Sequence, residues 1–160
     1  MRDCEREYIC VIGSLNYDII MKQKRMPLQG ETYTADSITY SGGGKGANQA
    51  VQCARLGAHV TMVGQVGDDA FGKIMTDTAA AAGVDVSHVS VDPNESSGVG
   101  HITLEVTDDG AKNRITVCPG ANFTLTVDDL AWLKDQIGRY DLVMMQFELP
   151  MPVIETVAQW

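Results

Sequence analysis

The chain has 160 residues, of which 44% belong to the set AVILMFWYC and 16 are glycine, an apolar content that argues against disorder and fits one domain of ordinary size. Its 12 Lys and Arg against 21 Asp and Glu leave a net charge of −9. That balance argues against a nucleic-acid binder, which needs a basic surface, and the densest basic run, Lys22-Gln23-Lys24-Arg25, is short.

Residues Met1 to Glu7 are mixed in charge, and the apolar run that follows covers only Tyr8 to Ile12, too short for a secretory signal. No run reaches the ~18–20 apolar residues that span a bilayer, so no membrane association is expected. Cys4, Cys10, Cys53 and Cys118 form no CxxC pair, which predicts reduced, mostly buried thiols and a cytosolic protein.

The continuous apolar run Tyr8–Gly13 reads as a strand buried on both faces. Asp18–Met21 and Thr32–Tyr40 are more polar and alternate, as strands of an exposed sheet do, with a Pro27…Gly30 turn between them. After the glycine run at 42–46, Ala47, Ala50, Val51, Ala54 and Leu56 fall at helical spacing, and Gly57 sits where helices end. Val60–Val66 is a second buried strand. Asp68 or Asp69 then caps a helix that runs to Ala82 and stops at Gly83. Val99–Val106 and Arg114–Cys118 form a second polar pair joined through Asp108-Asp109-Gly110. Thr126, Asp128 and Asp129 open a helix with Leu130, Leu133 and Ile137 on its apolar face, and Asp141–Met145 is a third buried strand. Pro152 starts a last amphipathic pattern that reaches Trp160.

Alternating buried strands and helices predict an α/β fold, a parallel sheet with helices on both faces. The polar strands, inserted at about 18–40 and 99–118, are expected to form a small separate sheet. Three core strands and a short last helix make a thin sheet, so the expectation is the N-terminal part of a single larger domain whose C-terminal half is missing.

Four glycines around a lysine at the start of a helix let backbone N–H groups approach a ligand. A Walker loop would need Ser or Thr after the lysine and a glycine at position 39, where Gly46 and Thr39 stand. A dinucleotide fingerprint fits no better: the run does not follow the first buried strand, and the next strand ends Gly64-Gln65-Val66 without an acidic residue. A bare strand-to-helix turn leaves Lys45 and Asn48 unexplained. A third reading joins the loop to Asn16 and Asp18 after the first buried strand and Glu148 after the third. Carboxylates that accept hydroxyls beside Asn and Lys donors suit a polyol. His59, His88 and His101 have no motif partners, and the Asp pairs 68/69, 108/109 and 128/129 read as helix starts and a hairpin turn rather than metal ligands.

The stretches Gly13-Ser14-Leu15-Asn16-Tyr17-Asp18, Pro27…Gly30-Glu31-Thr32 and Gly43-Gly44-Lys45-Gly46-Ala47-Asn48-Gln49-Ala50 strongly resemble the ribokinase-like, or phosphofructokinase-B, family of sugar kinases. Gly57, Gly67-Asp68-Asp69-Ala70-Phe71-Gly72, Gly120-Ala121-Asn122 and Met145-Gln146-Phe147-Glu148 continue the match over essentially the whole chain from Tyr8. The resemblance implies a ribokinase-like, Rossmann-type fold with a β-sheet lid, and ATP-dependent phosphorylation of the 5-hydroxyl of ribose with Mg²⁺ and K⁺. It implies sugar contacts from Asn16, Asp18, Gly44, Lys45, Gly46, Asn48 and Glu148, and a homodimer paired through the lid. Gly42 and Cys118-Pro119 depart from the family's usual residues without removing a sugar contact. The family's Gly-Ala-Gly-Asp motif, which carries the catalytic Asp, does not occur, and neither do its nucleotide, Mg²⁺ and cation segments, so this chain is expected to hold the acceptor site and be inactive alone. Competing expectations are a stand-alone sugar-binding or dimerising module, a kinase of fructose, a ketosugar acid or a nucleoside, and a nicotinamide-dependent oxidoreductase.

Overall fold

In the computed structural model, which describes residues 7–160, the apolar run Tyr8–Ile12 is strand β1. The chain continues through β2 (Asn16–Gln23), β3 (Ser37–Gly43), α1 (Lys45–Arg55), β4 (His59–Gly67), α2 (Ala70–Ala81) and β5 (Asp85–Asp92). It then forms β6 (Gly98–Thr107), β7 (Gly110–Cys118), a single helical turn α3 (Ala131–Lys134), β8 (Leu142–Met145) and α4 (Met151–Gln159). No helix among the described residues is long and apolar enough to cross a membrane.

Two sheets result. The first has the order β5-β4-β1-β8 and is parallel throughout, with Ile12 opposite Val63 on one side and Met145 on the other. β1 sits in its interior, and its alternate side chains enter two separate cores. Ile9 and Val11 pack with Met62, Val66, Ala50, Met75 and Ala79 on the face covered by α1 and α2. Cys10 and Ile12 pack with Val63, Leu133, Val153 and Val157 on the face covered by α3 and α4. Helices cover both faces, which is why β1 reads as an unbroken apolar run. The second sheet, β3-β2-β6-β7, is mixed: β2 is parallel to β6, and the two outer pairings are antiparallel. β7 is exposed along its whole length, which accounts for its polar sequence.

Four elements differ from the expectations. The first sheet has four strands rather than three: β5 pairs only with β4, and an edge strand needs little apolar surface, so Asp85–Asp92 carries no buried run. β3 lies at Ser37–Gly43 rather than 32–40, because its ladder with β2 runs on until Gly43 faces Asn16. The segment after Thr126 is not one helix but short 3₁₀ turns around α3, although Leu130 and Leu133 are buried as expected. Of the thiols, Cys10 is buried, Cys53 half-buried and Cys118 exposed, and Cys4 lies outside the described residues. Burial pushes the Cys10 thiol up to about 12, which leaves it unreactive.

The choice between Asp68 and Asp69 is settled by geometry. Asp69 caps α2 by accepting the Gly72 N–H at 2.8 Å, and it also accepts the N–H and hydroxyl of buried Ser97 at 2.8 and 2.7 Å. The cap therefore ties α2 to the loop that leads into β6.

Candidate functional site

β1 ends at Ile12, and four residues later, at Asn16, the chain has left the first sheet for the second. Glu148 follows β8, the parallel neighbour of β1, so both strands deliver their following residues to one edge. There the Ser14 hydroxyl donates to Glu148 Oε2 at 2.6 Å, and Lys45 Nζ forms an ion pair with Glu148 Oε1. The backbone N–H of Lys45, the first residue of α1, points at the same carboxylate from 3.4 Å. α1 has no side-chain cap, and its N-terminus favours a negative charge at this place. Burial alone would raise the Glu148 carboxyl, but the hydrogen bonds from Lys45 and Ser14 outweigh it and hold Glu148 below its ordinary value.

The approach of α1 depends on Gly44, which has φ 89 and ψ 139. A Cβ there would lie 2.6 Å from the Ser14 carbonyl oxygen and 2.7 Å from the Asn16 nitrogen, so a side chain would wedge the helix off the β1–β2 crossing. Gly46 serves the same packing: a Cβ on it would lie 2.6 Å from the Gly13 carbonyl carbon.

Asp18 lies on β2 with its carboxylate over the backbones of Gly43 on β3 and Gly100 on β6, where any Cβ would collide with it. Among the described residues no cationic side chain pairs with it. Burial raises its carboxyl above the ordinary value, and the Glu148 charge adds to the shift. Asn16 is buried at the start of β2 and borders a cleft of about 320 Å³ with Ser14 and Glu148, faced by Val117, Phe123 and Phe147. A space of this size with acceptors and donors on one wall and apolar side chains on the other suits a small polyhydroxyl molecule.

Six of the seven expected site residues, Asn16, Asp18, Gly44, Lys45, Gly46 and Glu148, thus gather at the crossing of the two sheets. Asn48 is placed apart: it is exposed one turn into α1, beside a second cleft of about 300 Å³ bordered by Gly43, Arg55 and Thr78. Ser14, Gly43, Gly100 and Asn122 take part as well, and sequence reasoning assigned them no role. Asn122 stood inside the Gly120-Ala121-Asn122 match, and Ser14 inside the stretch 13–18. Among the described residues no group of three or more His, Cys, Asp or Glu could hold a metal ion. The glycine run follows β3 of the second sheet, so the dinucleotide geometry of a loop after the first parallel strand is not met.

The pattern of the pfkB family carbohydrate kinases matches residues 6–157. A ribokinase of Bacillus subtilis is 39% identical over 152 residues, which are 95% of this chain and 50% of the relative. A ribokinase of Schizosaccharomyces pombe is also 39% identical, over 94% of this chain and 48% of its own length. The solved structure of Arabidopsis thaliana ribokinase complexed with ribose and ATP superposes with a TM-score of 0.78 at 31% identity, over 96% of this chain and 51% of that one. The chain spans about half the length of the curated relatives it matches.

Proposed function

The chain belongs to the pfkB family of carbohydrate kinases, and on that premise we propose that it forms the acceptor-sugar half of an ATP-dependent kinase acting on ribose. The observation that carries this reading is the meeting of Glu148, Ser14 and Lys45 beside Asn16 and the unneutralised carboxylate of Asp18. Asp18 and Glu148 accept hydrogen bonds from sugar hydroxyls, and Lys45 and Asn16 donate to sugar oxygens. The hydrogen bonds that Glu148 already receives fix its orientation, so little order remains to be imposed on binding. Asn48 joins the site only if the second sheet or α1 adjusts around the sugar.

ATP supplies the transferred phosphoryl group. ATP, its Mg²⁺ and the K⁺ are proposed to be held by residues outside this chain. The residues that transfer phosphate are proposed to belong to the half of the relatives that this chain does not span. The second sheet is proposed to close over the sugar and to pair with a second copy of the chain. Its edge strands β3 and β7 leave Ile38, Tyr40, Ile115 and Val117 exposed, in support of that pairing.

The test is calorimetric titration of the intact protein with ribose, 2-deoxyribose and fructose, followed by an ATP-dependent phosphorylation assay on the same panel. Ribose is expected to bind tightest and to be phosphorylated at its 5-hydroxyl. Absence of ribose binding at millimolar concentration, or a clear preference for fructose, overturns the assignment.

A further inference from the structure

Asn122 is 1% exposed and sits in the 3₁₀ turn Gly120–Phe123, far along the chain from the residues it touches. Its Oδ1 accepts the Leu15 N–H at 2.9 Å. Its Nδ2 has three acceptors within reach for two hydrogens, one of them shared: the Leu15 and Pro119 carbonyl oxygens at 3.0 and 2.9 Å and Asn16 Oδ1 at 2.9 Å. The two ends of a carboxamide look alike, but their partners here do not. A backbone N–H can only donate and a backbone carbonyl can only accept, so Leu15 and Pro119 fix which end of Asn122 is oxygen. The Nδ2 of Asn122 can donate but not accept, so the Asn16 atom that faces it at 2.9 Å must be the oxygen, which fixes the second amide in turn.

The consequence falls on the cleft. With Oδ1 of Asn16 held by Asn122, its Nδ2 is the free end, and among the described residues it has no acceptor. Gly98 supports the same arrangement. A Cβ there would collide with both Asn122 Nδ2 and Asn16 Oδ1, so the amide-to-amide hydrogen bond runs over a position that has no side chain.

We propose that Asn122 is a positioning residue that sets the orientation of the Asn16 amide, so that Asn16 offers an N–H donor, and not a carbonyl, to one oxygen of the bound sugar. This rests on the reading of Asn16 as a sugar contact. The neighbours Asp18 and Glu148 only accept, so a fixed donor beside them obliges the sugar oxygen at that point to act as acceptor. A sugar hydroxyl placed there must direct its own proton elsewhere, which selects among epimers by the direction of each oxygen.

A double-mutant cycle of Asn16→Ala and Asn122→Ala in the intact protein, read by ribose calorimetry, tests this. Asn122→Ala alone is expected to weaken ribose binding about three- to tenfold, the loss of one well-oriented hydrogen bond, and to add less than about twofold in the Asn16→Ala background. Equal loss in both backgrounds overturns the proposal, because a merely structural effect does not require Asn16. No loss from Asn16→Ala itself overturns instead the reading of Asn16 as a sugar contact, and the proposal with it. Should Asn122→Ala fail to fold, the unsubstituted protein decides by NMR. Ribose is expected to shift and protect the Asn16 side-chain NH₂, while that of Asn122 is protected from solvent exchange already without sugar. A ribose-free Asn122 NH₂ that exchanges freely overturns the proposal.

Discussion

Gly44 and Gly57 both have positive φ, 89° and 100°, yet alanine at the two positions is expected to act very differently. At Gly57, which follows α1, a Cβ would meet nothing within 4 Å, so Gly57→Ala carries only the backbone strain of a left-handed residue, offset in part by a less free unfolded chain. The net cost is about 1 kcal/mol. At Gly44 a Cβ would lie 2.6, 2.7 and 2.9 Å from Ser14 O, Asn16 N and Leu15 Cα, and backbone cannot swing aside as a side chain can. Strain of about 1–3 kcal/mol and overpacking of a similar size add to a cost of about 2–6 kcal/mol. Urea unfolding of the two variants of the intact protein, compared by midpoint at constant m-value, measures the difference. Ribose calorimetry on the same samples should show a loss for Gly44→Ala alone, because the displaced backbone carries Asn16. If Gly44→Ala falls within about 1 kcal/mol of Gly57→Ala, the close approach of α1 to the β1–β2 crossing is not what requires glycine there.

Asp18→Asn is expected to weaken ribose binding about ten- to hundredfold, the loss of a hydrogen bond to a charged group, and to stabilise the unliganded fold at pH 7. Because burial, and then the Glu148 charge, raise the folded Asp18 carboxyl above its ordinary 3.8, the penalty applies when the group is ionised, and the advantage of Asn fades as pH falls through the raised value toward 3.8. A stability difference that instead grows in acid would contradict this sign. Asp69→Ala is expected to cost about 3 kcal/mol, from a lost helix cap and two lost hydrogen bonds to Ser97, whereas Asp68→Ala at the exposed neighbour should stay within about 0.5 kcal/mol. Burial alone would raise Asp69, but its Ser97 and Gly72 hydrogen bonds hold it below 3.8, so the Asp69→Ala deficit should be full at neutral pH and shrink in acid denaturation series as Asp69 protonates.

The strands that can be read from sequence are those buried on both faces. β1 and β4 announce themselves as apolar runs because each has a strand on both sides and apolar packing above and below, whereas β8 keeps an apolar run at the sheet edge, where Val143, Met144 and Met145 are half-buried against the two cores. β5 has one neighbour, and its side chains are half-buried or exposed throughout, so its sequence resembles a polar loop. The segment from Thr126 shows the converse. Leu130 and Leu133 have helical spacing and are buried, and Thr126 and Asp129 exchange the reciprocal hydrogen bonds of a helix start, yet the backbone forms only short turns.

The site divides along a similar line. Asn16, Asp18, Lys45 and Glu148 are polar residues at the ends of apolar strands or in a glycine loop, a contrast that a linear reading can register. Ser14 and Asn122 give no such contrast, since their meaning lies in partners 134 and 106 residues away. Strand order explains why those distant residues meet. From β1 the chain builds outward through β4 to β5 on one side and returns to place β8 on the other. The order therefore reverses between β1 and β8, and the segments leaving their carboxyl ends must part, one from the other, and open a crevice. Ser14 leaves β1 and Glu148 leaves β8 at that point, so their hydrogen bond spans the reversal itself. β2 starts from the same place, which is why Asn16 belongs to a different sheet and still borders the crevice, with Asp18 two residues further along β2. The carboxylate of Glu148 is thus positioned by topology more than by its local sequence, and substitutions at Ser14 or Gly44 that alter the crossing should reach the sugar even though Glu148 itself is untouched.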